Sequence, residues 1–127
     1  MVDGPINAEV ELTTPGGDKI IATLTEVSAK SLGLAAGSSA VAVLKASAVV
    51  LQVGGADYRF SARNQLPGTV SAITKGVVSS NVELTLAGGS NVCAVVTNEA
   101  VEALGLAVGS AATALFKAGN VLVGVPA

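Results

Sequence analysis

An all-β fold of two similar small barrels in tandem is predicted for this 127-residue chain by three features. Half of its residues are apolar, nearly all Val, Ala, Leu and Ile, with frequent Gly and only Phe60, Phe116 and Tyr58 aromatic. That composition favours short strands over long helices. The chain also superposes on itself at an offset of 72: Gly4–Val53 falls on Gly76–Val125 without a gap, and 21 of the 50 pairs are identical. Finally, apolar and polar residues alternate on either side of glycine pairs, the pattern of hairpins.

Each repeat reads in the same order. Val10 and Leu12, then Ile20, Ala22 and Leu24, flank Pro15-Gly16-Gly17-Asp18 as a hairpin with a glycine turn, and Gly88-Gly89 turns its counterpart. Thr25–Gly33 reads as one short helix. Thr25 caps its N-terminus, Glu26 faces the positive end of the dipole, and Gly33 stops it; Thr97–Gly105 is the equivalent. Ala40–Leu44 and Val49–Val53 give two more strands around Lys45-Ala46-Ser47. The stretch Asp57–Ile73 supplies a fifth strand ahead of the second repeat, and the first repeat shows no such leader. We therefore divide the chain at 1–53 and 54–127. Five strands and a short helix are the complement of a small, nearly closed barrel of the oligonucleotide/oligosaccharide-binding type. Four strands alone leave an open edge, so completion by strand exchange between subunits is expected.

Composition also narrows function. A net charge of −2 with seven basic residues argues against nucleic acid as a partner. The absence of histidine removes the commonest general base and transition-metal ligand, so no enzyme and no metal site are expected. Cys93 stands alone between Val92 and Ala94 and reads as a small buried hydrophobe. No apolar run is long enough to span a bilayer and the first residues do not resemble a signal peptide, so a cytoplasmic protein without membrane contact is expected.

Ser61-Ala62-Arg63-Asn64-Gln65-Leu66-Pro67-Gly68-Thr69-Val70, followed by Val82-Glu83-Leu84, Gly88-Gly89, Thr97, Leu104-Gly105-Leu106, Gly109 and Phe116-Lys117-Ala118, resembles the Mop module of the molbindins. The tandem order is similar to that of two-module molbindins and covers nearly the whole chain. The resemblance implies a homotrimer that holds the oxyanion molybdate, and tungstate, at subunit interfaces for storage or buffering, with no further cofactor. Carried over residue by residue, it implies anion contacts from Ser61, Ala62, Arg63 and Asn64, read as a strand, with Thr25, Ser28, Lys45, Ala46 and Ser47 opposite. Thr97, Lys117 and Ala118 match in the second repeat, where Ala100 replaces Ser28 and Gly119 replaces Ser47. Ile6-Asn7-Ala8-Glu9-Val10 matches a family stretch that contributes to a second type of site, through Asn7 and Ala8. The chain departs from the pattern in lacking a Ser-Ala-Arg-Asn leader before the first repeat. A truncated or rearranged first module, or its completion by a neighbour's strand, accounts for this, and the sequence does not choose between them.

These residue types suit a tetrahedral dianion. Molybdate carries no proton at neutral pH, so a pocket of donors alone satisfies its oxygens, whereas hydrogenphosphate leaves a hydroxyl unpaired. Sulfate has to be rejected by size. Backbone N–H groups bind anions even in an acidic protein. Each residue also has a plainer reading: Lys45 and Lys117 as solvated strand-end lysines, Thr25 and Thr97 as caps, Arg63 as a surface arginine. The lost hydroxyls and the absent leader carry the alternative of a Mop-fold scaffold that no longer binds anions.

Overall fold

A computed structural model describes residues 2–3, 7–54 and 59–127. Gly4 and Ile6, and Asp57 and Tyr58 at the start of the expected fifth strand, lie outside the described residues. The fold is mostly β, as the composition predicts.

In the first repeat, β2 (Asn7–Thr13) and β3 (Lys19–Thr25) form the expected hairpin, with Asn7 opposite Thr25 and Thr13 opposite Lys19. Its turn closes through Gly17 N–H to Thr14 O and Thr14 N–H to Asp18 O. Gly17 sits at φ 94, a left-handed conformation that a side chain disfavours. Helix α1 (Glu26–Ser31) follows. The Thr25 hydroxyl oxygen accepts from the Ser28 N–H, and Gly33 at φ 66 ends the helix. Strand β4 (Val41–Leu44), a 3₁₀ turn at Ala46–Ala48 and strand β5 (Val50–Gln52) complete the repeat.

The second repeat has the same parts: β7 (Ser79–Leu86), β8 (Asn91–Thr97), α2 (Asn98–Leu104) ended by Gly105 at φ 65, β9 (Ala111–Phe116), a 3₁₀ turn at Ala118–Asn120, and β10 (Val121–Gly124). The leader appears as β6 (Asn64–Lys75), which lies between β7 and β9 and carries a register shift between Val70 and Ala72. Its only described counterpart is β1 (Val2–Asp3), whose pairing with Glu9 and Ala8 repeats that of Thr74 and Lys75 with Asn81 and Ser80.

The closing strands are reciprocal. β5 of the first repeat pairs with β9 of the second, giving the sheet β5-β9-β6-β7-β8, while β10 of the second pairs with β4 of the first. The last strand of each repeat thus completes the sheet of the other, and repeat and packing unit differ by one strand. Val49 and Leu51 are buried with Val70, Val82, Leu84 and Phe116 in a shared core. The exchange expected between subunits is a separate matter from this pairing within one chain.

A second device joins the halves. Asn64 is 2% exposed, and its side-chain amide takes the place of a neighbouring strand on β3: Nδ2 donates to Ile21 O and Oδ1 accepts from Ile21 N–H, both at 2.8 Å. Asn64→Ala leaves both Ile21 groups without these partners. It is expected to lower stability by about 2–3 kcal/mol in chemical denaturation.

Cys93 corrects an expectation, because it is exposed. On β8 the inward positions are Val92, Ala94 and Val96, and with a period of two the residue between Val92 and Ala94 has to alternate outward.

Candidate oxyanion site

Ser61, Arg63, Lys117 and Ala118 come together at one open cavity of ≈ 420 Å³, which Thr23, Gly119 and Asn120 also line. Three elements supply it. Strand β3 contributes Thr23. The 3₁₀ turn after β9 packs against β3 and contributes Ala118, Gly119 and Asn120, with Lys117 just before it. The segment leading into β6 contributes Ser61 and Arg63.

The expectation of a Ser61–Asn64 strand needs correcting: only Asn64 is in β6, and Ser61–Arg63 precede it. Gln65 fixes this approach by donating to Phe60 O and Ala62 O, both at 3.0 Å. Ala62 lines a neighbouring, larger apolar cavity with Phe60 and Leu115, and that cavity shares Ser61, Lys117 and Asn120 with the first.

Electrostatically the site is a pair of cations with one counter-charge. Arg63 Nη2 lies 2.6 Å from Glu9 Oε1, and both side chains are substantially exposed. Glu9 stands opposite Thr23 across the β2–β3 ladder, which brings its carboxylate within reach of the Arg63 guanidinium. Exposure keeps this ion pair weak, so an incoming dianion can compete for the guanidinium. The pocket side chains of Ser61, Thr23, Lys117 and Asn120 offer hydroxyl, ammonium and amide donors.

The other expected residues lie elsewhere. Thr25 is two residues beyond Thr23, about 6–7 Å along the same strand face. Its hydroxyl donates to Ser28 Oγ at 2.8 Å and accepts from Ser28 N–H at 3.1 Å. Asn7 is opposite Thr25 and exposed, whereas Ala8 is fully buried and offers only backbone. Ala46 and Ser47 belong to the other 3₁₀ turn, which packs on β8, and Lys45 stands just before it. Thr97 caps α2 by accepting from Ala100 N–H at 3.1 Å. The side chain of Asn64 is committed to Ile21, which leaves its backbone as the part available to a ligand. Thr23 and Asn120 escape a reading of the sequence. Thr23 carries one usable signal, its spacing of two from Thr25.

Among the described residues there is no group of three or more His, Cys, Asp or Glu side chains that could hold a metal ion, and no helix is long and apolar enough to cross a membrane.

A duplicated five-stranded unit with reciprocally closed sheets defines a tandem of small β-modules. The chain belongs to the TOBE domain family, whose model matches residues 1–51 and again 61–123, one match per repeat. Within that family its relatives are of the Mop type, as the molbindin resemblance implies. It is 46% identical over 123 residues to the molybdenum-pterin-binding protein MopA of Rhodobacter capsulatus, covering 97% of this chain and 46% of that protein. It is 50% identical over 122 residues to the molybdenum transport protein ModE of Herbaspirillum seropedicae, covering 96% of this chain and 45% of that one. The chain thus spans about half the length of these curated relatives. Among solved structures it is similar to the cytoplasmic molybdate-binding protein ModG with molybdate bound, at a TM-score of 0.92 and 50% identity, covering 98% of this chain and 89% of that one.

Proposed function

We infer that this chain binds molybdate rather than catalysing a reaction, and that the pocket of Ser61, Arg63, Lys117, Ala118, Thr23 and Asn120 is a principal anion site. The observation that carries this reading is the convergence of two cationic side chains and several neutral donors on one cavity. The likeness over 98% of the chain to a protein solved with molybdate bound supports the choice of anion. Arg63 leaves Glu9 to meet the dianion, Lys117 supplies a second charge-assisted hydrogen bond, and the hydroxyls of Ser61 and Thr23 orient it.

In this reading the two repeats, 1–53 and 54–127, assemble into a cytoplasmic homotrimer that stores or buffers molybdate and also accepts tungstate. The cluster Asn7, Ala8, Thr25 and Ser28, and the segment Lys45-Ala46-Ser47 and Thr97, complete further sites against neighbouring subunits. A second reading has a specific basis. The chain is 40% identical to the transcriptional regulator ModE of Yersinia pestis but spans only 42% of it, which suits an anion-sensing portion of a longer regulator. A scaffold that has lost anion binding is the remaining alternative, and the pairing of Thr25 with Ser28 and of Arg63 with Glu9 favours it.

Titration calorimetry with molybdate, sulfate and phosphate separates binding from scaffold. Saturable molybdate heat with no response to the other two supports the inference. A folded protein that responds to none of them supports the scaffold.

A further inference from the structure

Among the described residues, Arg63 is the one cavity residue with an ion-pair partner, and that partner, Glu9, does not itself line the cavity. Glu9 comes from β2, where it faces Thr23 across the ladder, and its Oε1 accepts from Arg63 Nη2 at 2.6 Å. Lys117, the other cation of the pocket, takes part in none of the described ion pairs.

The charge at position 9 is not demanded by the fold. In the second repeat Asn81 stands where Glu9 stands in the first, and Val95 where Thr23 does, and the two face each other across the β7–β8 ladder in the same way. The ladder therefore accommodates a neutral amide as well as an acid. Burial does not call for the charge either, because the Arg63 and Glu9 side chains are 57% and 41% exposed and a pair so open to water adds little to folding. What the carboxylate does is occupy a guanidinium donor that an oxyanion in the pocket also needs.

We propose that Glu9 is an intramolecular competitor of the ligand, a resident carboxylate that sets how tightly the pocket takes an oxyanion. This rests on the reading of the Ser61, Arg63 and Lys117 cavity as an anion site. A dianion that engages Arg63 must first part it from Glu9. Apparent affinity is then the intrinsic affinity reduced by the fraction of molecules in which the guanidinium is free. For an exposed pair at the stronger end of its range that fraction is about a fifth. On release of the ion the carboxylate returns to the guanidinium, so departure of the ligand leaves no unpaired Arg63 behind. The device trades affinity for ease of release.

The test is calorimetry of the whole chain with molybdate, in the parent, Glu9→Gln, Arg63→Ala and the double variant, a cycle that isolates the pair. Glu9→Gln is expected to bind about fivefold more tightly than the parent. Glu9→Ala, which removes the amide as well, should act in the same direction. In the Arg63→Ala background Glu9→Gln should change affinity by less than about twofold, since no guanidinium is left to free. Weaker binding by Glu9→Gln would overturn the proposal, because Glu9 would then be positioning Arg63 for the ligand. Equal tightening with and without Arg63 would also overturn it, since the carboxylate would then act by general repulsion alone. A parent that takes up molybdate while neither Glu9 variant binds more tightly would sink the inference and leave the anion site standing. Absence of saturable heat in the parent and in every variant, with all of them melting cooperatively, would sink the anion site itself and the inference with it.

Discussion

Gly16→Ala is expected to lower stability by about 3 kcal/mol, whereas Gly119→Ala stays within about 0.5 kcal/mol of the parent. The difference lies in what each added methyl meets. A Cβ on Gly16 would sit 1.8 Å from the carbonyl oxygen of Gly88, and one on Gly88 would sit 2.6 Å from Gly16 O, so the two hairpin turns touch backbone to backbone. Backbone cannot rotate aside as a side chain can. Asp18 ties the same contact: its carboxylate accepts from Gly88 N–H at 2.9 Å and, more weakly, from Ser90 N–H at 3.4 Å. A methyl at Gly16 therefore pushes the turns apart and breaks this clasp. At Gly119 nothing lies within 4 Å of an added Cβ and φ is not left-handed, so substitution meets open space. Urea denaturation of both variants measures the contrast. Near-equal midpoints would mean that the turns do not pack as described.

Lys117→Ala and Arg63→Ala should each weaken molybdate binding by about 10–100-fold, the loss of one charge-assisted hydrogen bond of about 1.5–3 kcal/mol. Folding should be unaffected. Both side chains are exposed, and the ion pair of Arg63 with Glu9 is of the weak surface kind. Lys45→Ala removes the corresponding lysine of the first repeat. It is expected to reduce the number of anions taken up while leaving affinity at the Lys117 pocket unchanged. Calorimetry with parallel thermal melts reads affinity, stoichiometry and stability together. A variant that loses binding only because it has unfolded would count against the assignment of its residue to the site.

The parts of the fold that are legible in the sequence are those decided locally. Thr25 and Thr97 cap helices because a threonine followed by an acidic residue in the first turn satisfies an exposed backbone N–H. Gly17 and Gly89 mark turns because both need a left-handed backbone. The reciprocal closing of the sheets is not legible. β4 and β9 present nearly the same edge, with Ala42 matching Ala114, so nothing in the repeat says whether β5 joins its own neighbour or the other copy's. Asn64 illustrates a different limit: a polar residue beside Arg63 reads as a ligand until the fold brings Ile21 against it. The exposure of Cys93 follows from the phase of alternation along β8, a phase that the flanking Val92 and Ala94 already carry.

The candidate site divides the same way. Ser61, Arg63, Lys117 and Ala118 share a family pattern, and the fold brings them to one cavity. Thr23 and Asn120 enter only with the tertiary structure, since the packing of the 3₁₀ turn Ala118–Asn120 on β3 joins elements far apart in the chain.

The measurement that tests the central claim most directly is the position of the anion itself. Crystals grown with tungstate, whose tungsten scatters anomalously, should show a strong peak within hydrogen-bonding reach of Lys117 Nζ and the Arg63 guanidinium, with Glu9 no longer paired to Arg63. An anomalous peak elsewhere with this cavity unoccupied, or no peak in a protein saturated with tungstate, would contradict the assignment of the oxyanion to this pocket.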